Sequence, residues 1–257
     1  MLKFDANITF MFRELPILER FVAAKKAGFS GVEILSPEDA SPQSIAEAVR
    51  QAEIEVVLCN AHMGDFIQGG LGLSAVPGRE KEFSNAIELA RKMAKQFDCP
   101  RIHVGPSRVA EGDDRSRYID TLVKNLKLAS EVLGKAGIEV LVEPLNTVDM
   151  PDILLSSVDE TLDVIDATGC NNIKLQFDIY HLSQMEADPL AQLEKHIHRI
   201  GHIQFADCPG RAEPGTGKIK FNDYFEKLND LGYQGWVGAE YMPTKQTEET
   251  LHWLQKN

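Results

Sequence analysis

The chain has 257 residues, 43% hydrophobic and 26% charged, the size and balance of one soluble globular domain with a large buried core. Its formal net charge of −12 opposes nucleic-acid phosphates, no run of Lys and Arg supplies a basic groove, and no apolar run is long enough to span a bilayer. Four scattered cysteines without C-x-x-C spacing, and Asp5 and Asn7 where a secretory signal would be apolar, point to a reducing cytoplasm.

Strand-like and helix-like segments alternate from end to end. A strand is expected over 3–10, then a helix over 16–27 with Pro16 in its first turn and Gly28 just past its end. A strand over 31–35 leads to a helix that Ser41 caps and that runs to about Ala52. Next come a strand at 55–59, a long amphipathic helix at 79–97 and a strand at 101–104. A helix at 116–135 is closed by Gly137, a strand at 138–143 ends in Glu143, and a helix at 157–168 is stopped by Gly169. The strand at 173–178 ends in Asp178 and is followed by a helix at 189–198. A strand at about 202–206, a helix at 221–231, a strand at 236–240 ending in Glu240 and a last helix at 248–255 complete the pattern. Eight strand-helix units in this length predict a parallel sheet closed into a single (β/α)8 barrel domain over residues 1–257. Two connections are too long for simple turns. The first, 60–78, holds Gly64, Gly69, Gly70, Gly72 and Gly78, lies on the face of the strand ends and could act as a lid, which the sequence does not decide. The second, 207–217, carries Arg211.

In such a barrel the chemistry sits at the C-terminal strand ends. Four successive ends carry Glu143, Asp178, Gln204 and Glu240, each one strand-helix unit after the last. A lone acid there also caps helices or pairs with arginine, but four polar groups on four neighbouring strands form a stronger signal. All four offer oxygen donors, which suit a divalent Mg²⁺ or Mn²⁺ ion better than zinc. His62 and His103 lie near the same rim and are expected to line the pocket. Glu33, mid-strand, has no flanking alternation that sets its face.

These strand ends, together with Phe4-Asp-Ala-Asn-Ile8, Ala27-Gly-Phe-Ser-Gly-Val-Glu33, Pro77-Gly-Arg-Glu80, Val142-Glu-Pro-Leu-Asn146, Gln176-Phe-Asp-Ile-Tyr-His181, Glu213-Pro-Gly-Thr-Gly217 and Gly235-Trp-Val-Gly-Ala-Glu-Tyr241, are similar to those of the hydroxypyruvate isomerase family. That family stands among the xylose-isomerase-like TIM barrels, with sugar epimerases and endonuclease IV. The resemblance, which runs along nearly the whole chain, implies an Mg²⁺ or Mn²⁺ ion held by Glu143, Asp178, Gln204 and Glu240, with Glu143 and Glu240 as acid/base pair. It implies isomerisation of a small anionic hydroxy-oxo acid, hydroxypyruvate to tartronate semialdehyde through an enediolate, by a chain that could form homo-oligomers. His181 is then expected to bind a substrate oxygen and Arg211 the substrate carboxylate. The alternatives are a 2-oxo-tetronate isomerase or ketose 3-epimerase, an endonuclease IV-like hydrolase, and a non-catalytic sugar-acid sensor. Gln204, where the wider group often has His, argues against the epimerase and the nuclease.

Overall fold

The computed structural model describes residues 2–35, 37 and 40–256. Strands β1 (Lys3–Asn7), β2 (Gly31–Ile34), β3 (Glu55–Asn60), β4 (Arg101–His103), β5 (Glu139–Val142), β6 (Ile173–Asp178), β7 (Ile200–Phe205) and β8 (Trp236–Ala239) close in sequence order into one barrel. Neighbours are parallel throughout, and β1 pairs with β8. Around them run α1 (Arg20–Lys26), α2 (Pro42–Ala52), α3 (Glu80–Ala94), α4 (Arg115–Gly134), α5 (Val158–Thr168), α6 (Ile179–Met185), α7 (Pro189–His196) and α8 (Phe221–Asp230). The expected (β/α)8 barrel is therefore the fold.

Local signals set most boundaries. Ser41 accepts a hydrogen bond from Ser44 N and Ser157 one from Glu160 N, each cap contributing about 1 kcal/mol. Gly169 ends α5 at φ +66°, where a Cβ would be strained. Three expectations shift. β1 stops at Asn7 rather than 10, because Asn7 accepts backbone bonds from Phe10 and Met11 and its Oδ1 one from Thr9 N, turning the chain. The segment expected as one helix at 16–27 begins as a 3-10 turn, Ile17–Glu19, and the final helix is a 3-10 stretch, Thr247–Lys256. The short helix α6 was not expected; it starts directly off β6 because Asp178 Oδ1 accepts from Tyr180 N and caps it.

The hydrophobic core lies mainly between the barrel wall and its helices. Phe4, Phe205, Phe225 and Trp253 meet edge to face there, with centroids 5.0–6.3 Å apart. The inside of the barrel is different. Branched apolar side chains normally fill it, yet Asp5, Asn7, Glu33, Gln176, His202 and Gln204 are buried along its inner face. The ladder slips by one residue between Val32 and Glu33 against β3, and between Leu175 and Gln176 against β7. Such irregularities re-aim side chains, and both fall at polar interior residues.

Candidate active site

Glu143, Asp178 and His181 each offer one ligand atom, and these lie within 4.8 Å of one another. Glu240 joins them through Arg211, whose Nη2 donates to Glu240 Oε2 at 2.7 Å and lies 3.7 Å from Asp178 Oδ2. Gln204 joins them through Gln176, whose Nε2 donates both to Gln204 Oε1 at 2.6 Å and to Glu143 Oε2 at 3.0 Å. The four strand ends singled out in the sequence thus converge on one end of the barrel, all of them buried.

Their electrostatics are those of a site short of positive charge. Glu143 is pushed well above the usual carboxylate range, first by burial and then by Asp178 and Glu240. Burial likewise lifts Glu240 to about 8 and Asp178 to about 6, although Arg211 pulls both back. Glu143 Oε1 and Asp178 Oδ2 are buried without a hydrogen-bond partner. Unsatisfied carboxylate oxygens cost free energy unless a proton or cation meets them. Carboxylate oxygens of this kind fit a hard divalent cation.

His181 has a defined tautomer. Asn146 Oδ1 accepts from Asp149 N and its Nδ2 donates to Asp149 Oδ2, which fixes the amide orientation. The same Nδ2 therefore faces His181 Nδ1 at 2.6 Å as a donor, and Nδ1 must accept. The proton sits on Nε2, 3.6 Å from Asp178 Oδ2. Burial, then Arg211, holds the imidazole well below its usual range, so it is neutral. In this state His181 is a donor rather than a metal ligand. His103 has its Nε2 3.6 Å from Glu143 Oε2 and is kept neutral by burial, with its pKa lowered to about 4. His62 is exposed, with Nδ1 accepting from Gly64 N. Neither His62 nor His103 belongs to a metal-competent cluster among the described residues.

Arg211 reaches the site from the loop after β7. Asp207 builds that loop, its Oδ1 accepting from Cys208 N and Ile219 N and its Oδ2 from Gly215 N. The Arg211 backbone sits at φ +53°, which costs a residue with a Cβ about 1–2 kcal/mol. Its guanidinium lies between the rings of Phe10 and Tyr180, 5.2 and 5.1 Å from their centroids. Its buried Nε has no acceptor.

The first long connection, 60–78, is pinned. Arg108 Nη1 donates to Phe66 O at 3.1 Å and Gly70 O at 2.6 Å, its guanidinium 4.0 Å from the Phe66 ring centroid. Asp65 accepts from Gly72 N and pairs with Arg79 at 3.0 Å. The chain passes close at Gly72, where a Cβ would stand 2.7 Å from Pro106 O.

Sequence reasoning missed the layer beneath the site. Gln176, His202 and Gly238 stand two residues before Asp178, Gln204 and Glu240, and Asn7 two after Asp5. Strand alternation places each such pair on one face, so that spacing was the available signal. Among the described residues, no helix is long and apolar enough to cross a membrane.

The sequence profile described as xylose isomerase-like TIM barrel matches residues 21–257. Hydroxypyruvate isomerase of Escherichia coli K12 is 36% identical over 254 residues, covering 99% of this chain and 98% of that protein. The 2-oxo-tetronate isomerase of Haemophilus influenzae is 38% identical over 256 residues, covering 100% and 99%. A crystal structure from Brucella melitensis, described as an AP endonuclease, family 2, superposes with a TM-score of 0.96 at 38% identity, over 100% of this chain and 99% of that one. The chain therefore belongs to the xylose isomerase-like TIM barrel family, as an isomerase related to the hydroxypyruvate and 2-oxo-tetronate isomerases.

Proposed function

We propose that the chain is a metal-dependent isomerase of small hydroxy-oxo acids, with hydroxypyruvate and tartronate semialdehyde as its pair and a 2-oxo-tetronate as the alternative substrate. The observation that carries this is the convergence of Glu143, Asp178 and Glu240, with two buried oxygens lacking a hydrogen-bond partner, around Arg211. Glu143, Asp178, Glu240 and the carbonyl oxygen of Gln204 would hold the ion. When bound, Mg²⁺ or Mn²⁺ supplies Lewis-acid polarisation of the substrate's adjacent oxygens.

The chain's own residues divide the remaining work. In the forward direction one proton leaves the CH₂OH carbon and one returns to the former carbonyl carbon, while the hydroxyl proton passes to the other oxygen. Glu143 and Glu240 are the acid/base pair for the carbon protons. His181, with its proton on Nε2, donates to a substrate oxygen. Arg211 offers an unpartnered, buried Nε to the substrate carboxylate, and guanidinium and carboxylate match in two bonds. Such an anchor offsets the repulsion between an anionic substrate and an acidic site.

The test is a panel of hydroxy-oxo acids and neutral ketoses followed by NMR with and without Mg²⁺ or Mn²⁺. Ion-dependent interconversion of a carboxylated substrate is expected. Turnover that survives chelation, or none on any acid, overturns the proposal. The description of the Brucella structure favours a nuclease as second reading. A multi-metal nuclease would draw on His62 and His103, so ion stoichiometry separates the two: one per chain for the isomerase, several for the nuclease.

A further inference from the structure

Below the site, Glu33 is gripped from several sides. Its Oε2 accepts from Gln204 Nε2 at 2.5 Å and from Asn7 Nδ2 at 3.3 Å. Its Oε1 meets His202 Nε2 at 2.7 Å. Asn7 Nδ2 also donates to Glu240 Oε1 at 3.0 Å, so the same carboxylate is linked to two of the four strand ends. Room for it exists only because residue 238 is glycine: a Cβ there would stand 1.7 Å from Glu33 Oε1.

Asp5, Glu33 and His202 also bring one ligand atom each within 4.8 Å. An ion there would compete for lone pairs already committed, since both Glu33 oxygens are engaged. Both Asp5 oxygens are buried without a hydrogen-bond partner, and burial, then Glu33, holds its carboxyl well above the usual range, which favours a proton there. The cluster is a hydrogen-bonded support.

An amide side chain binds a cation only through its oxygen, and a Gln can present either end. From these contacts we infer that Glu33 is a positioning residue: by holding Gln204 Nε2 it keeps Gln204 Oε1, which accepts from Gln176 Nε2 on the Glu143 side, as the end of the amide that would meet an ion. The inference rests on the metal-dependent reading above. Outer partners of this kind typically set metal affinity by about 10- to 100-fold.

The experiment is a Mn²⁺ titration read by the loss of the free-ion EPR signal, with circular dichroism and Tm as controls for folding. Wild type is expected to bind one ion, and Glu33→Gln to bind it about 10- to 100-fold more weakly at unchanged helicity. The swap Glu33→Gln with Gln204→Glu restores a donor opposite an acceptor and is expected to recover binding. If Glu33→Gln fails to fold, the swap alone is read, and a folded swap that binds Mn²⁺ supports the inference. Wild-type affinity in a folded Glu33→Gln, or a folded swap that does not bind, overturns it. A wild type that binds no Mn²⁺ sinks the metal-dependent reading itself and this inference with it.

Discussion

On the proposed reading Glu240 would carry two demands at once, holding an ion and moving a proton, and its neighbours hold it in place for both. Asn7 fixes Oε1 and Arg211 fixes Oε2, so the carboxyl cannot rotate away from Asp178. Replacing it by an amide keeps shape and acceptor but removes the proton function. Glu240→Gln should reduce kcat about 10²- to 10⁴-fold while the chain stays folded, checked by NMR turnover and thermal melting. Near-normal turnover would remove the acid/base assignment. Arg211 tests a different bond. Hydrogen bonds to charged groups contribute about 1.5–3 kcal/mol, so Arg211→Ala should raise KM for carboxylated substrates about 10- to 100-fold. Because Arg211 also pairs with Glu240, kcat should fall for every substrate. The ratio of KM effects on carboxylated and neutral substrates is therefore the informative quantity, and equal effects on both would sink the anchor.

Among the elements, the 60–78 connection behaves unlike the lid its glycines suggest. Arg108 ties two of its carbonyls and stacks on Phe66, while Asp65 closes the turn onto Gly72. Free exchange in this segment would need all of those bonds to open. Hydrogen exchange of residues 66–72 should accordingly be slow in wild type and rise about tenfold or more in Arg108→Ala, each lost bond being worth about 1 kcal/mol or more, with the barrel strands unaffected. Fast exchange in the wild type would restore the lid. The contrast shows which signals a sequence carries. Strand ends at Glu143, Asp178 and Glu240 were legible because apolar runs stop at acids and glycines bound the turns. The helix α6 was not, because Asp178 reads as the acid that ends a strand, while its Oδ1 also caps the helix that follows. Glu33 was undecided for a physical reason. Barrel interiors are normally apolar, so a charged residue between Val32 and Ile34 gives no ready assignment to the inside, whereas this interior is polar and the apolar face of β2 meets the helices. What pointed inward was Gly238 two strand positions below Glu240, an absence of side chain that makes sense only beside a large neighbour.

For the whole molecule, the site is a stability problem as well as a chemical one. Three carboxyls buried at one end of the barrel share a single arginine, and each is displaced upward from its usual range by burial. The folded chain therefore holds unfavourable charge or trapped protons there that the unfolded chain does not. A cation that binds the folded state alone offsets that cost by mass action, about 2.7 kcal/mol at a hundredfold excess over its dissociation constant. At 257 residues that should lift Tm by roughly 5–10 °C. Melting with Mn²⁺, and again after chelation, should show this shift, which grows with the logarithm of the free-ion concentration above the dissociation constant. Asp178→Asn should lower the affinity that drives it, and because it removes one buried acid it should also raise the Tm of the metal-free protein or leave it unchanged. A metal-free Asp178→Asn protein less stable than wild type would mean that the charge of Asp178 is held favourably by Arg211, since Asn keeps the cap of α6. A wild-type Tm indifferent to Mn²⁺ would mean that the acids at this end are met by protons alone.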